Sequence, residues 1–369
     1  MQVPEHPVYH PAAAPVDPGS RLLAEAAAPA GTVLAVNMAP DPALLRWAVV
    51  GAHLSVQDER CSALNYARRL LEGVAADLEA AIAPQTPWPD AADVALINLR
   101  YLWGRQATRA SIGAALAGLR PGGRLLLAGA NDRGVRSAVD DLAAAAGGRP
   151  QILAYGKGHR LVAVAKPEGW SAPAPAPPGE RVMEPVGGVP ITLERRPGLF
   201  AEGLADAGTQ LLAKSLPVAA PGQHVLDLGC GGGAVAVHAA LHQPLARVWA
   251  VDDSLRAVRA AVANAVLNGV AGTVLALHGD GLQALPADLR FDLVATNPPF
   301  HFGAIATTAL AEAWLRALPT RMRPGGRLYV VYNAFLPYLR VLGEAFGADR
   351  AALVAEAGGY RVAGAVWSR

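Results

Sequence analysis

Lysine is almost missing from this sequence. It supplies three of the 32 basic residues (Lys157, Lys166 and Lys214), which face 30 acidic ones. Positive charge is therefore arginine, which suits bidentate phosphate contacts and stacking on bases but fits a plain compositional bias equally well. The near-balanced charge of +2 neither requires nor excludes a nucleic-acid partner, since a local patch would suffice. Cysteine is scarce as well. Cys61 and Cys230 are too few for a disulfide framework or a Cys-based metal site, and a reducing cytoplasm fits best. No uninterrupted apolar run reaches the roughly 18 residues of a membrane span. The opening Met1-Gln-Val-Pro-Glu-His-Pro7 lacks the basic-then-apolar order of a secretory signal. Aromatics make up only 6% against a hydrophobic share of 52%, so alanine inflates the apolar content.

What is present is length and rhythm. A chain of 369 residues favours two domains, each able to bury its own core. The clearest boundary is the stretch 167–188, with Ser171-Ala-Pro-Ala-Pro-Ala-Pro-Pro-Gly179 at its heart, where alternating Pro and Ala favour an extended, semi-rigid linker. The expected organisation is one domain over 1–166 and another over 189–369. On either side, short β-rich runs (32–36, 93–97 and 124–127, then 225–228, 248–251, 292–295 and 328–331) alternate with helical segments. Such alternation implies parallel sheets with helices on both faces.

The halves resemble each other in order as well as in rhythm. Asp93 and Asn98 recur at the same spacing as Asp292 and Asn297. Arg120-Pro-Gly-Gly-Arg-Leu125 returns as Arg323-Pro-Gly-Gly-Arg-Leu328, and Asn131 and Asn333 follow at almost equal distances. The ordered recurrence points to a duplicated α/β unit.

The second half carries the strongest local signal, Val225-Leu-Asp-Leu-Gly-Cys-Gly-Gly-Gly-Ala234. An apolar strand runs into glycines at 229, 231, 232 and 233, and a helix pattern follows. That position, the carboxyl end of a first strand, is the ligand crevice of open α/β sheets. Gly229, Gly231 and Gly233, with Cys230 as a small filler, would let a ligand approach the backbone. A dinucleotide site would show Gly-x-Gly-x-x-Gly, which fits only loosely, and Asp227 would repel a pyrophosphate. Asp227 would instead suit the cationic amino-acid end of S-adenosylmethionine. Asp252 ends the next strand and suits both ribose hydroxyls, with Asp253 beside it; the lesser alternative is that either acid simply caps the helix that follows. Asp280, after a third strand, would accept from the adenine amine.

Beyond the fourth strand stands Asn297-Pro-Pro-Phe300. Pro298 and Pro299 fix the backbone and remove two N–H donors. The Asn297 oxygen and the Pro298 carbonyl make two acceptors for the hydrogens of a planar amine, Asn297 is also a candidate cofactor contact, and Phe300 offers a stacking face. His301 could take the departing proton or simply pack. Phe335 and Tyr338 could wall a base pocket or belong to the core.

These residues are similar to class I methyltransferases, and within them to the ribosomal RNA guanine-N2 methyltransferases of the small-subunit (RsmC-like) family, which have tandem domains. Almost the whole second half carries the resemblance: Pro197-Gly-Leu-Phe200, Asp206-Ala-Gly-Thr-Gln-Leu-Leu212, the glycine loop, Asp252, Asn297-Pro-Pro-Phe-His301, Asn333-Ala-Phe-Leu-Pro-Tyr338 and Gly359-Tyr-Arg361. The first half matches in Gly129-Ala-Asn-Asp-Arg-Gly-Val-Arg-Ser137, but Asn37-Met-Ala-Pro40 replaces the glycine loop and Asn98-Leu-Arg-Tyr101 replaces Asn-Pro-Pro-Phe. The resemblance implies two Rossmann-like domains, the first degenerate and serving folding and RNA docking, with Arg133 and Arg136 as candidate contacts. It implies transfer of a methyl group from S-adenosylmethionine to guanine N2 in small-subunit ribosomal RNA, by a cytoplasmic monomer without a metal. Large-subunit RNA, DNA amino groups and protein glutamine are the alternative substrates.

Overall fold

In a computed structural model, residues 16–28, 31–74, 76–80, 91–102, 104–172, 179–196, 198–299, 301–302, 305–306 and 308–368 are described. The chain divides into two compact units, Met1–Pro177 and Pro178–Arg369.

The first unit holds strands β1 (Thr32–Val36), β2 (His53–Asp58), β3 (Ala76–Ala80), β4 (Ala92–Asn98), β5 (Leu119–Ala130), β6 (Gln151–Gly156) and β7 (His159–Ala165). Helices α1 (Pro18–Glu25), α2 (Ala43–Val49), α3 (Cys61–Leu70), α4 (Gly104–Gly118) and α5 (Val135–Ala146) accompany them. The sheet order is β3-β2-β1-β4-β5-β7-β6. Its first five strands run parallel, and β7 enters antiparallel.

The second unit begins with a hairpin of β8 (Arg181–Val186) and β9 (Val189–Glu194). Its sheet comprises β10 (His224–Leu228), β11 (Arg247–Asp252), β12 (Val274–His278), β13 (Phe291–Thr296), β16 (Met322–Asn333), β17 (Ala351–Ala357) and β18 (Tyr360–Val366). A two-residue ribbon, β14 (His301–Phe302) with β15 (Ile305–Ala306), lies apart from that sheet. The helices are α6 (Ala207–Ser215), α7 (Ala234–His242), α8 (Leu255–Leu267), α9 (Ala309–Ala317) and α10 (Tyr338–Phe346). The order β12-β11-β10-β13-β16-β18-β17 repeats that of the first unit, again with an antiparallel last hairpin. Both sheets thus have the tandem Rossmann-like form expected from the sequence.

Alternation along the strands explains the layers. Leu226, Leu228, Val294, Leu328 and Val330 pack on one face with α9 and α10. Val225, Val248, Ala250 and Leu293 pack on the other with residues of α7 and α8. Side chains of a strand point alternately to opposite faces, and a parallel sheet buries both.

The repeated motifs have a shared structural reason. Asp93 accepts from Thr32 N at 2.9 Å and from Arg120 Nε at 2.7 Å. Its counterpart Asp292 accepts from His224 N at 2.8 Å and from Arg323 Nη1 at 3.0 Å. One carboxylate therefore joins three strand ends in each unit.

The expected linker at 167–188 is shorter than its composition suggested. Trp170 Nε1 donates to Ala145 O at 2.8 Å, which fastens the start of the stretch to the first unit. Residues 181–186 form β8, because Arg181-Val-Met-Glu-Pro-Val186 alternates in burial and pairs with β9 despite Pro185. Only 173–178 lie outside the described residues. Among the described residues, no helix is long and apolar enough to cross a membrane.

Candidate functional site

The order of the second sheet reverses between β10 and β13, so their carboxyl ends open the crevice of the fold. The glycine loop leaves β10 there and enters α7. Its glycines serve different ends. Gly233 (φ +79°) caps α7, and a Cβ on it would lie 2.8 Å from Ala261 Cβ on α8. A Cβ on Gly232 would lie 2.5 Å from Gly203 O, in the segment preceding α6. Gly231 (φ +52°) alone in the loop faces open space, with nothing within 4 Å of a Cβ. Among the loop glycines, Gly231 is the one whose Cβ position faces open space.

Two variants separate these roles. Gly231→Ala is expected to cost roughly 1–2 kcal/mol through its left-handed backbone, yet to abolish close approach of a ligand. Gly233→Ala adds an overpacked helix contact, a further 1–3 kcal/mol or so. Melting curves should rank Gly233→Ala as the less stable protein, and cofactor titration should rank Gly231→Ala as the weaker binder. The same ranking in both measurements would contradict the assignment.

Asp252 ends β11 at the edge of the loop. Its Oδ2 accepts from Gly231 N (2.9 Å) and its Oδ1 from Ser254 N (2.9 Å). The helix cap considered for Asp252 and Asp253 belongs to Ser254, whose Oγ accepts from Ala257 N at 3.3 Å. The Asp253 carbonyl accepts from His278 Nε2 at 2.9 Å, tying β11 to β12. Asp280 lies two residues beyond β12 and begins a short 3-10 turn without capping it.

Asp227 is turned inward. It is 3% exposed, and its Oδ2 accepts from Ala236 N at 3.0 Å, in the first turn of α7. Burial raises its pKa to about 7, the Asp252 charge adds to the rise, and the Ala236 bond opposes it. A cation brought alongside would favour the ionised form. Cys230 is buried, and burial with the charges of Asp252 and Asp227 pushes its thiol well above the usual range. It remains a protonated filler.

Asn297 follows β13. Its Nδ2 donates to Thr209 Oγ1 at 3.2 Å and to Asp206 Oδ1 at 3.5 Å, at the N-terminus of α6. Pro298 is buried and Pro299 exposed. Phe300 and Pro197 lie outside the described residues, as does the side chain of His301. Tyr338 is fully buried and belongs to the core, whereas Phe335 is 78% exposed.

Three contributors escaped the sequence reading. Trp314 on α9 abuts the crevice, 3.4 Å from a Cβ placed on Gly229 and 2.5 Å from one on Gly281. Asn264, fully buried on α8, donates to Gly232 O at 2.8 Å and accepts from Glu194 N at 2.9 Å, which fixes the glycine loop to β9. An amide inside the apolar face of a helix was the available signal. The contact of Asp206 and Thr209 with Asn297 is the third.

The first unit keeps this scaffold with altered contents. Asn37 (φ +51°) stands where Gly229 does and donates to Gln57 O at 2.7 Å, as Gly229 N does to Val251 O at 2.8 Å. Asp58 stands where Asp252 does and accepts from Ala39 N at 3.2 Å. There the guanidinium of Arg60 covers the carboxylate, with two bonds of 2.9 Å. Asp41, fully buried with its pKa raised to about 6 by burial, ties the loop directly to Asn98 at 2.8 Å.

Comparison with known proteins places this geometry. Residues 190–364 match the methyltransferase small domain family. Over 179 residues, 48% of the chain, the sequence is 37% identical to the ribosomal RNA small subunit methyltransferase C of Klebsiella pneumoniae and 36% identical to that of Salmonella choleraesuis. The match spans half the length of each of these curated relatives. A solved structure, the T. thermophilus 16S rRNA N2 G1207 methyltransferase (RsmC) in complex with AdoMet and guanosine, superposes with a TM-score of 0.81 at 29% identity. The superposition covers 95% of this chain and 92% of that one.

Proposed function

We propose that this protein, whose second unit is a methyltransferase small domain, transfers a methyl group from S-adenosylmethionine to the exocyclic N2 of a guanine in small-subunit ribosomal RNA. The observation that carries the reading is the pairing, across one crevice, of a ribose-type acid at the glycine loop with an asparagine whose nitrogen is already engaged. The T. thermophilus enzyme, similar over both units, is a guanine-N2 methyltransferase by its description.

The residues fit the cofactor by their own chemistry. The open face of Gly231 admits it, Asp252 takes the ribose hydroxyls, and Asp280 lies on the adenine side. Asp227, buried beneath the loop and half-ionised near neutrality, responds to the cationic amino-acid end. When bound, S-adenosylmethionine supplies a sulfonium methyl group as the electrophile.

The remaining work falls to positioning and electrostatics. Asn297 Oδ1 and the Pro298 carbonyl accept the two hydrogens of the guanine amine. An amine conjugated to a ring is a poor nucleophile, and two acceptors holding its hydrogens favour the reactive form. They also stabilise the positive charge that develops on nitrogen. Phe300 would supply an aromatic face of the kind on which a base stacks. Duplex RNA hides its base edges, so the guanine is unpaired or flipped.

The first unit, with Arg60 over its ribose acid and Asp41 across its crevice, binds no cofactor. It supports folding and RNA docking, with Arg133 and Arg136 as contacts. The protein acts as a cytoplasmic monomer and needs no metal.

Titration of the full chain with S-adenosylmethionine is expected to give one site per chain, and turnover on small-subunit ribosomal RNA but not on DNA or protein glutamine. Two sites per chain would refute the closed first unit. Turnover confined to DNA or protein would refute the substrate.

A further inference from the structure

The duplicated fold contains two versions of one asparagine, and their difference reveals what aims Asn297. In the second unit, Asp206 caps α6 and accepts from Thr209 N at 2.9 Å. In the first, Asp17 caps α1 and accepts from Ser20 N at 3.1 Å. Asn98, at the end of β4, donates its Nδ2 to Ser20 Oγ at 3.2 Å and to Asp17 Oδ2 at 3.3 Å. Asn297, after β13, donates its Nδ2 to the matching pair, Thr209 and Asp206. The two segments, Asp17-Pro-Gly-Ser-Arg-Leu-Leu23 and Asp206-Ala-Gly-Thr-Gln-Leu-Leu212, are copies of one clamp. A capping acid and a hydroxyl three residues later contact the same amide nitrogen in both, and in the first unit Asp41 adds a third acceptor at 2.8 Å.

The oxygen ends differ. Asn98 Oδ1 accepts from Arg100 N at 3.1 Å, so in the first unit a backbone donor already claims one of that oxygen's two lone pairs. Two residues after Asn297 stands Pro299, which has no N–H to offer. An asparagine amide presents its oxygen or its nitrogen through a half-turn of nearly unchanged shape. Turned the wrong way, Asn297 would face a substrate amine with donors and would set its oxygen against the Asp206 carboxylate, which has only acceptors.

We propose that Asp206, Thr209 and Pro299 are positioning residues that set the amide orientation of Asn297: the first two hold its nitrogen, and Pro299 withholds the backbone donor that would claim its oxygen. This rests on the reading that Asn297 Oδ1 receives the guanine amine. It adds a purpose to the second proline beyond stiffness. It also distinguishes the first unit, where Asn98 is buried and its oxygen is already engaged by Arg100 N.

The experiment uses the full chain, S-adenosylmethionine and the guanine substrate. Thr209→Val removes the hydroxyl acceptor and leaves the backbone N–H that Asp206 caps. Turnover is expected to fall about tenfold, the effect of one lost hydrogen bond, with cofactor Kd unchanged within about twofold. Thr209→Ser should restore turnover, since Ser20 fills the same place in the first unit. In an Asn297→Ala background, Thr209→Val should cost nothing further, because it acts only through the amide. A second readout needs no turnover. In protein carrying nitrogen-labelled asparagine, the Asn297 side-chain amide, identified by its loss in Asn297→Ala, should exchange its protons faster in Thr209→Val.

Should Thr209→Val unfold the protein, Pro299→Ala carries the test, since it touches neither the cap nor α6. It must lower kcat while cofactor Kd holds. Wild-type turnover in Thr209→Val or in Pro299→Ala would overturn the proposal, as would an additive loss in the double variant. A wild-type chain that leaves guanine N2 unmethylated would overturn the functional reading, and this proposal with it.

Discussion

Asn297→Ala is expected to lower turnover by about a hundredfold or more, the usual consequence of losing one preorganised partner to charge that develops in the transition state. The Asn297 side chain bonds to α6 rather than to the glycine loop, so cofactor affinity should change far less than turnover. Guanine binds through stacking as well as through its amine, so substrate affinity should change little. An interaction made chiefly in the transition state lowers kcat and kcat/KM together. Stopped or steady-state kinetics with an independent cofactor titration read both quantities. A rise in KM at unchanged kcat would assign Asn297 to binding alone. The loss should exceed that of any single clamp variant, because alanine removes the acceptor while those variants only disorient it.

Asp252→Ala is expected to weaken S-adenosylmethionine binding by roughly 1.5–3 kcal/mol, about ten- to a hundredfold in Kd. Two effects combine. The vicinal hydroxyls lose a charged acceptor, and Gly231 N loses the partner that shapes the loop, a bond of 2.9 Å. Asp252→Asn keeps the volume and one acceptor oxygen, so its loss should be smaller. At saturating cofactor, kcat should return close to that of the wild type, because the role proposed for Asp252 is at the ribose and not at the transferred methyl group. Unchanged affinity in a calorimetric titration would remove the ribose role and leave Asp252 a loop-shaping residue.

Features with a local or periodic signature were legible in the sequence. The helix over 255–267 and the strands ending at Leu228, Asp252 and Thr296 follow from apolar runs punctuated by glycine, acid and proline. The recurrence of Asp, Arg-Pro-Gly-Gly-Arg and Asn in both halves implied a duplicated α/β unit, and the two sheets do repeat one strand order. Proline content concealed the β8–β9 hairpin: Pro185 and Pro190 face each other across it, and neither weakens an isolated two-stranded ribbon as it would a central strand. The four loop glycines looked alike in sequence. Only three-dimensional packing separates Gly233, set against α8, from Gly231, set against open space. The clamp on Asn297 was beyond reach for a different reason. Its bonds join residues 88 and 91 positions apart, and no periodicity or turn chemistry encodes such a contact. Its two copies became recognisable once the folds of both units were laid side by side.

Mass-spectrometric mapping of the methyl group on guanine in small-subunit ribosomal RNA, after incubation with the purified chain and S-adenosylmethionine, tests the central claim most directly. The expected product is N2-methylguanosine, absent when Asn297→Ala replaces the wild type at equal enzyme and time. A ring nitrogen has no pair of hydrogens for Asn297 Oδ1 and the Pro298 carbonyl to accept. A ring-methylated guanine, or full N2 methylation by Asn297→Ala, would contradict the mechanism and return the Asn-Pro-Pro turn to a structural role.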